Sequence, residues 1–315
     1  MKKALIIGIN GFAGSYLRKE LEGSYDVYGA DIASFDDKVT AIDVLDEKAC
    51  DALFEQVKPD YVFNLAGQAS PNISWEKINL TMHLNVDLSV NIVMACLKHC
   101  PNARILLIGS SNQYDISKCQ NSEGLLDEKT PLINDSPYAV SKNTQEAMIK
   151  LLCSKYNIDV IFTRSFNHIG RGQRKGFVVT DYCSRIASLE NGEIDTFKFG
   201  NLDSWRDFSD ARDVVHAYRL LAEKGQALET YNVGSGRSYY IRDMVGALIE
   251  KSELAMKKTT LPPRLSDDEL IHYRSDNSKL YADTGFVAKY DVFDSLSEVL
   301  EEFRMKAASS KKEQS

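Results

Sequence analysis

Two patterns of apolar and polar positions alternate along the first half of the chain. Short runs rich in valine and isoleucine are separated by longer stretches in which apolar residues recur every three or four positions. Such runs are typical of buried parallel strands, and such stretches are typical of amphipathic helices that pack on a sheet. The predicted strands are 4–9, 27–31, 39–43, 61–66, 104–109 and 160–165, and the predicted helices are 12–22, 47–57, 78–99 and 137–156. Because strands and helices alternate, we predict an α/β fold with a doubly wound parallel sheet.

The pattern changes after residue 166. The following part of the chain is richer in glycine and charge, and its helices are predicted at 177–190, 214–224, 241–252 and 292–305. We therefore expect one domain over 1–166 and a smaller α/β lobe over 167–306, some segments of which return to the first domain. Residues 307–315 are expected to form a polar tail.

Composition and charge narrow the choice of partners. The 315 residues are enough for two domains. The 38 basic and 45 acidic side chains give a net charge of −7, which argues against nucleic acid or an anionic membrane as a partner.

The cysteines and the N-terminal segment indicate a cytoplasmic protein. The six cysteines form no CxxC pair, so we expect reduced thiols. The first apolar run is too short for a signal sequence. No run approaches the ~18 apolar residues of a membrane span, and the histidines lack metal-ligand spacing, so neither a membrane segment nor a metal site is expected.

A glycine-rich turn directly follows the first predicted strand. Its glycines have the spacing GxxGxxG and open the first predicted helix. Glycine lets backbone N–H groups approach a pyrophosphate, whose charge is favoured at a helix N-terminus. The turn predicts a dinucleotide site in a Rossmann-type domain over 1–166, with a plain strand-to-helix turn as the alternative. The predicted cofactor contacts of this turn are Gly8, Asn10, Gly11, Phe12, Ala13 and Gly14.

Acidic residues end the next two predicted strands. Asp31, which is followed by Ile32, can accept hydrogen bonds from an adenosine ribose, and its carboxylate would repel the 2′-phosphate of NADP. This position favours NAD over NADP, unless Asp31 is only a solvated turn residue. Asp43 and Val44 follow the third strand and could bind the adenine edge through the Asp43 side chain and the adjoining backbone.

A tyrosine and a lysine share one face of the predicted helix 137–156. Tyr138 and Lys142 have the spacing i, i+4. A neighbouring ammonium lowers the pKa of a tyrosine from its usual ~10, so the phenol could exchange a proton while a hydride moves. Ser110 lies at the carboxyl end of strand 104–109, where its hydroxyl could hydrogen-bond a substrate oxygen. Alternatively, Ser110 and Ser111 only cap the following turn.

Taken in order, these motifs resemble the extended short-chain dehydrogenase/reductases, in the nucleotide-sugar branch known as the NAD-dependent epimerase/dehydratase family. The resemblance rests on the glycine turn, the segment 64–68, Ser110, the Tyr138 and Lys142 pair, and the segment 164–167. The segments 165–170, 200–208 and 276–280 are similar to those of GDP-4-keto-6-deoxymannose reductases and GDP-mannose 4,6-dehydratases.

The resemblance implies further site residues. Additional contacts to the cofactor, NAD rather than NADP, would be Leu65, Ala66, Gly67, Gln68, Tyr138, Lys142 and Ser165. Contacts to a nucleotide-sugar substrate would be Gln68, Ser110, Ser111, Asn112, Asn167, Phe177, Val178, Arg206 and Arg264, although the spacing around Arg264 departs from that of the family. Because guanidinium groups match phosphate oxygens, we also expect the cations Arg164, Arg171, Arg174, Lys175, Arg185 and Arg206 to attract the diphosphate, with a solvated surface charge as the alternative for any one of them. His168 is expected to pack or to cap, with a place in the pocket as the alternative.

Position 112 distinguishes between the reactions of the family. In the 4,6-dehydratases that this chain resembles, a glutamate two positions after the catalytic Ser or Thr handles the C5 proton, whereas this chain has Asn112. An uncharged amide cannot serve as a general base or acid near neutral pH, so dehydration is disfavoured. Reduction of a GDP-4-keto-6-deoxyhexose is the preferred reaction. C4 oxidation or epimerisation of a GDP-hexose or GDP-heptose remains an alternative, as does a dinucleotide-binding regulatory subunit.

The family resemblance also implies a quaternary structure. In the resembling family, the helices that correspond to 78–99 and 137–156 form a four-helix interface between two subunits. Both predicted helices have broad apolar faces in this chain. We therefore expect a homodimer.

Overall fold

The computed structural model describes residues 1–118, 124–264 and 272–313. The strands are β1 Lys3–Ile7, β2 Asp26–Asp31, β3 Val39–Ala41, β4 Tyr61–Asn64, β5 Arg104–Ser110, β6 Leu125–Leu126, β7 Val160–Ser165, β8 Asn167–Ile169, β9 Trp205–Asp210, β10 Thr230–Val233, β11 Ser238–Tyr240 and β12 Arg274–Ser275. The helices are α1 Phe12–Leu21, α2 Glu47–Val57, α3 Pro71–Glu76, α4 Ile78–Met82, α5 Leu88–His99, α6 Pro137–Tyr156, α7 Val178–Glu190, α8 Ala211–Lys224, α9 Ile241–Glu250, α10 Glu253–Lys258, α11 Ser278–Thr284 and α12 Val292–Glu313. Cys119 lies outside the described residues, and the other five cysteines are buried free thiols.

A seven-stranded parallel sheet forms the centre of the molecule. Its strand order is β10-β7-β5-β4-β1-β2-β3. Six of these strands are those predicted from the apolar runs, and the seventh, β10, comes from the C-terminal half of the chain. The winding direction reverses between β1 and β4, and the carboxyl ends of strands at such a reversal are the usual place for a ligand. The predicted doubly wound α/β fold is confirmed.

Helices cover both faces of this sheet because its strands are apolar on both sides. In β1, Leu5 and Ile7 pack into a core that includes α2, α5 and α6, whereas Ala4 and Ile6 pack into a second core with α1 and α8. Successive strand residues point to opposite faces, so a continuous apolar run requires two covered faces. This double burial explains why the strands contain so few polar residues.

A smaller lobe is built around the three-stranded sheet β11-β9-β8. Helices α7, α9 and α12 pack there around a third apolar core. The expectation of a polar tail from residue 307 is wrong for 307–313, because α12 continues through them. Ala307 packs against the third core, and its carbonyl accepts a hydrogen bond from the Asn191 side chain at 3.3 Å.

The predicted helix 78–99 is interrupted by one wider turn. Residues His83–Asp87 form a π-helical turn between α4 and α5. Within the described residues, Ile78–His99 is the one helical stretch long and apolar enough to cross a membrane by length and composition, and half of it is buried within the fold. A core helix of a globular protein has these same properties.

Candidate active site

A cleft of about 630 Å³ opens at the carboxyl edge of the parallel sheet, facing the smaller lobe. It lies at the reversal between β1 and β4. The predicted site residues that line it are Asn10, Gly11, Phe12, Ala13, Leu65, Ala66, Gly67, Gln68, Ser110, Ser111, Asn112, Tyr138, Lys142, Ser165, Asn167, Phe177 and Val178. The fold therefore gathers residues that are far apart in the sequence into one site.

The glycine turn has a shape that fits a pyrophosphate. Gly8 has φ +83°, and a Cβ there would lie 2.9 Å from the backbone nitrogen of Ala66. A Cβ on Gly14 would lie only 2.1 Å from the carbonyl oxygen of Gly8. Helix α1 begins after Gly11 without a side-chain cap or an acidic residue in its first turn. Its N–H groups and helix dipole therefore favour an anion beside the turn.

Asp31 braces this turn from the end of β2. Its carboxylate accepts hydrogen bonds from the backbone N–H of Asn10 at 2.9 Å and of Ile32 at 2.8 Å. The Asn10 side chain in turn donates to the carbonyl of Ala33 at 2.8 Å. Asp31 and Ile32 lie at the rim beside the turn, where an adenosine ribose could reach the carboxylate.

Asp43 and Val44 differ from each other in their surroundings. The Val44 side chain is buried in the core beneath the sheet, so the prediction that Val44 contacts a ligand is limited to its backbone. The Asp43 carboxylate accepts a hydrogen bond from the backbone N–H of Leu45 at 2.9 Å. Neither residue lines the cleft.

Ser110 and Tyr138 both lie in the buried lining of the cleft. Burial raises the pKa of Tyr138, and the neighbouring Ser110 hydroxyl opposes this by lowering it. The Ser110 oxygen accepts a hydrogen bond from the backbone N–H of Asn112 at 3.2 Å. Ser110 therefore caps the turn, as in the alternative interpretation, and also lines the cleft together with Tyr138.

Lys142 lies one helical turn after Tyr138. Its ammonium donates to the carbonyl of Ile108 at 2.8 Å and to the side-chain oxygen of Gln145 at 3.1 Å. Burial lowers the pKa of Lys142 to about 8. The prediction that Lys142 lowers the pKa of Tyr138 is wrong for this arrangement, because burial dominates at the phenol and the ammonium is directed at these two carbonyl oxygens.

Together the phenol, the hydroxyl and the ammonium can hold or move a proton at one oxygen atom. The Tyr138 phenol can donate a proton to a carbonyl oxygen or take one from an alcohol. The Ser110 hydroxyl can stabilise the charge that develops there. Such a set suits hydride transfer between a nicotinamide and a carbonyl carbon.

Asn167 and Arg206 lie on the wall formed by the smaller lobe. Asn167 lines the cleft, pairs with Phe208 across the β8–β9 register, and donates to the carbonyl of Asp207 at 3.1 Å. Arg206 shares the face of β9 that carries Phe208, another lining residue, because alternate strand residues point the same way. Arg206 is thus placed to extend this wall.

Arg264 is not brought to this wall. Its guanidinium lies 4.7 Å from the ring centroid of Tyr240. Tyr240 pairs with Trp205 across β11 and β9, on the face opposite Arg206. The structure therefore does not support the predicted diphosphate contact for Arg264.

The predicted cluster of cations is only partly formed. Arg174 lines the cleft. Arg164 is buried and forms an ion pair with Glu146 at 2.8 Å, so its inclusion among the anion-attracting residues is wrong. Arg185 donates to the carbonyl of Lys198 at 3.0 Å and does not line the cleft.

The model of the NAD dependent epimerase/dehydratase family matches residues 4–234, which is more than half of the chain. The chain belongs to this family. A "GDP-6-deoxy-D-mannose reductase" of Pseudomonas aeruginosa is 27% identical over 309 residues, covering 96% of this chain and 97% of the relative. A "GDP-mannose 4,6 dehydratase" of Drosophila melanogaster is 26% identical over 272 residues, covering 78% of this chain and 67% of the relative.

Solved structures show the same architecture. RMD from Pseudomonas aeruginosa, solved in complex with NADPH, superposes with a TM-score of 0.83 at 25% identity and covers 97% of this chain and 100% of its own. UDP-glucose 4-epimerase from Thermotoga maritima, at 22% identity and a TM-score of 0.82, shares the fold over 96% of this chain and 99% of its own. As a member of the epimerase/dehydratase family, the chain uses a nicotinamide dinucleotide, and its glycine turn fits one.

Two further residues line the cleft of this epimerase/dehydratase family member: Tyr218, which no sequence motif predicts, and His168, for which a place in the pocket is the alternative prediction. Tyr218 of α8 reaches the cleft, where its hydroxyl lies 2.7 Å from that of Ser165. His168 lines the cleft and stacks on Phe12 with ring centroids 5.8 Å apart, and burial lowers its pKa. The sequence offers no local signal for Tyr218, because its role depends on how α8 packs against the sheet.

Carboxylates do not contribute to the cleft wall among the described residues. The titratable side chains that line it are those of Tyr138, Lys142, His168, Arg174 and Tyr218. Asn112, where the similar dehydratases have glutamate, is exposed at the cleft. No other lining residue in the described part of the chain supplies an acid to replace that glutamate.

Proposed function

We propose that this protein is an NAD(P)-dependent reductase that acts at C4 of a GDP-linked 4-keto-6-deoxyhexose. The observation that carries the proposal is the cleft itself, where Ser110, Tyr138 and Lys142 meet and the described lining includes no carboxylate. Similarity to a GDP-6-deoxy-D-mannose reductase over nearly the full length of both chains supports the choice of substrate. The buried free thiols suit the reducing cytoplasm, where we place the protein.

The two parts of the chain bind different ligands, the cofactor and the sugar nucleotide. The glycine turn and Asp31, within 1–166, would hold the pyrophosphate and ribose of a nicotinamide dinucleotide. When bound, this cofactor would supply the hydride. Asn167, Arg174 and Arg206 of the smaller lobe hold the sugar and its diphosphate, because amide and guanidinium groups offer hydrogen-bond donors to hydroxyl and phosphate oxygens. Tyr138 gives the proton to O4, and Ser110 donates a hydrogen bond to the same oxygen.

C4 oxidation or epimerisation is the second candidate. The same Tyr138, Ser110 and Lys142 serve both directions of hydride transfer, and Asp31 suits NAD, which oxidising and epimerising enzymes use. A 4,6-dehydratase is disfavoured because removal of the C5 proton needs a base. Neither Asn112 nor another described lining residue supplies a carboxylate for that step.

The deciding experiment mixes the purified protein with NADH or NADPH and GDP-4-keto-6-deoxymannose. The proposal predicts a loss of absorbance at the nicotinamide band and formation of the GDP-6-deoxyhexose by mass spectrometry. Binding of both ligands without turnover would instead indicate a regulatory subunit. Incubation with GDP-mannose and NAD is the control for dehydration, and a 4-keto product there would overturn the assignment.

Replacing Asp31 with alanine tests the choice between NAD and NADP. We expect the variant to lose affinity for NADH and to gain relative affinity for NADPH, because the carboxylate that meets the ribose and repels a 2′-phosphate is gone. Fluorescence titration with both dinucleotides measures the ratio of the two dissociation constants. An unchanged ratio would show that Asp31 only braces Asn10 and Ile32. Asp43→Ala is the matched control and should leave the ratio as it is.

We also propose a homodimer through α5 and α6. Met94 on α5 and Met148 and Leu151 on α6 are large apolar side chains exposed on the chain surface. A second copy that pairs these helices would bury them and gain the associated hydrophobic free energy. Light scattering should give twice the chain mass of 35.4 kDa. A monomer at micromolar concentration would refute the interface, and Leu151→Glu should shift the dimer towards monomer.

A further inference from the structure

We propose that Gln113 is a positioning residue, which holds Ser110 in place for the reaction without touching the substrate. The inference rests on the proposed function, because Ser110 acts there as the second hydrogen-bond donor. Gln113 directly follows Asn112 in the sequence but lies on the other side of the turn, with 0% of its surface exposed. Its side chain faces the protein interior beneath the serine.

Both ends of the Gln113 amide are engaged. Its oxygen accepts the hydrogen bond from the backbone N–H of Ser110 at 2.9 Å. Its nitrogen donates to the carboxylate of Glu146 at 2.9 Å. A carboxylate accepts hydrogen bonds and does not donate them, so Glu146 determines which end of the amide faces Ser110.

Glu146 is itself held by two cations. Arg164 of β7 donates to both of its oxygens, at 3.1 and 2.8 Å, and Lys150 lies 2.6 Å away on the same helix. A bidentate guanidinium contact fixes the plane of the carboxylate. A continuous series of hydrogen bonds therefore links Arg164 of β7 and Glu146 of α6, through Gln113, to the backbone N–H of Ser110.

The space around Gln113 is shaped to admit this side chain. A Cβ on Gly109 would lie 2.5 Å from the Gln113 oxygen and 2.3 Å from the carbonyl oxygen of Thr163. Gly109 is thus the residue that lets the amide reach past the strand end. Removal of the amide would leave the Ser110 N–H buried without a hydrogen-bond acceptor. An unsatisfied buried N–H destabilises the folded state, so the Ser110 peptide would be expected to shift towards another acceptor.

The consequence for the reaction concerns the direction of the Ser110 hydroxyl. Its peptide is held by Gln113 and its oxygen accepts from the Asn112 N–H, so the hydroxyl proton is left to donate into the cleft, which Ser110 and Tyr138 both line. A small tilt of the peptide would misdirect this donor. Complete loss of one preorganised donor of this kind lowers kcat by a factor of about 10²–10³. A misdirected donor still contributes in part, so we expect it to lower kcat by a factor of only about 10–10².

The experiment compares Gln113→Met with Gln113→Glu. Gln113→Met removes the acceptor and should lower kcat ten- to a hundredfold, roughly as loss of alignment predicts, with little change in the dissociation constant for NADH. Gln113→Glu keeps an acceptor for the Ser110 N–H but places a second carboxylate beside Glu146, so it should retain more of kcat while melting at a lower temperature than the wild type. If kcat instead follows the melting temperature in both variants, the role of Gln113 is only structural and the proposal fails.

A double-mutant cycle with Ser110→Ala provides the second test. If Gln113 acts through the Ser110 hydroxyl, adding Gln113→Met to Ser110→Ala should change kcat by less than about threefold. Equal losses in both backgrounds would overturn the proposal.

A third measurement does not need turnover. Amide hydrogen exchange at Ser110, followed by nuclear magnetic resonance, should be faster in Gln113→Met than in the wild type. Unchanged exchange refutes the positioning role, whereas faster exchange in a protein that reduces no GDP-4-keto sugar refutes only the proposed function.

Discussion

Replacement of Tyr138 with phenylalanine should lower kcat by about 10²–10⁴, the range that general acid–base catalysis contributes. The substitution removes one oxygen and keeps the ring in a position where only 5% of the side chain is exposed. Ser110 would remain, but a serine hydroxyl is too weak an acid to replace the phenol as proton donor. Single-turnover oxidation of NADH in the presence of GDP-4-keto-6-deoxymannose measures the loss at the chemical step.

The Tyr138→Phe experiment needs two controls. Fluorescence titration should show nearly unchanged affinity for NADH, because the glycine turn and Lys142 are intact. Tyr231→Phe is the matched variant: this buried tyrosine of β10 donates to Asp283 at 2.5 Å, away from the cleft. It should cost about 1.5–3 kcal/mol of stability, because the lost hydrogen bond is to a carboxylate, and leave kcat unchanged. Near-normal turnover of Tyr138→Phe would remove this residue from its proposed role.

Elements with strong local signals were predictable from the sequence. Helix α6 has its predicted bounds, because Ser136 caps its first turn, Pro137 occupies its first position and Asn157 adopts a left-handed conformation at its end. Strand β7 also has its predicted bounds, since all six of its residues are buried. The apolar runs were sufficient to predict six of the seven strands of the central sheet.

Elements that depend on distant partners were not predictable in this way. Strands β8, β11 and β12 contain two or three residues each and exist because of the strands beside them. Strand β10 joins the central sheet through its pairing with β7, a contact that leaves no periodic signal in the sequence. The π-helical turn at His83–Asp87 adds one residue to a helical turn without changing the apolar character of the stretch.

The site shows the same division between local and distant information. The glycine turn and the Tyr138 and Lys142 pair are short motifs, and the fold places both in the cleft. The sequence places Arg164 in a local cluster of cations, and this clustering predicts that it attracts a diphosphate. Its actual partner is Glu146, which lies on another element. Only the tertiary structure distinguishes a cation that can bind a ligand from one that already forms an intramolecular ion pair.

Replacement of Arg164 with methionine should destabilise the protein by about 3–5 kcal/mol, the usual cost of removing one partner from a buried ion pair. The side chains of Arg164 and Glu146 are only 5% and 9% exposed. Methionine fills a similar volume but leaves the Glu146 carboxylate with only Lys150, Gln113 and the Thr230 hydroxyl as partners. Urea unfolding of wild type and variant measures the difference in the free energy of unfolding. Lys98→Met removes a surface ion pair with Asp51 and, as the control, should cost less than about 1 kcal/mol.

The pH dependence of the loss in unfolding free energy shows whether the Arg164–Glu146 ion pair causes it. Burial alone would raise the pKa of Glu146, but the hydrogen bonds and charges of Arg164 and Lys150 outweigh burial and lower the pKa from 4.5 to about 2. The folded pKa lies below the unfolded one, so the stabilisation is complete above about pH 4.5 and disappears as the pH falls towards 2. The deficit of Arg164→Met should therefore be largest near neutral pH and shrink on acidification. A deficit that does not vary with pH would mean that lost packing, rather than the ion pair, accounts for the destabilisation.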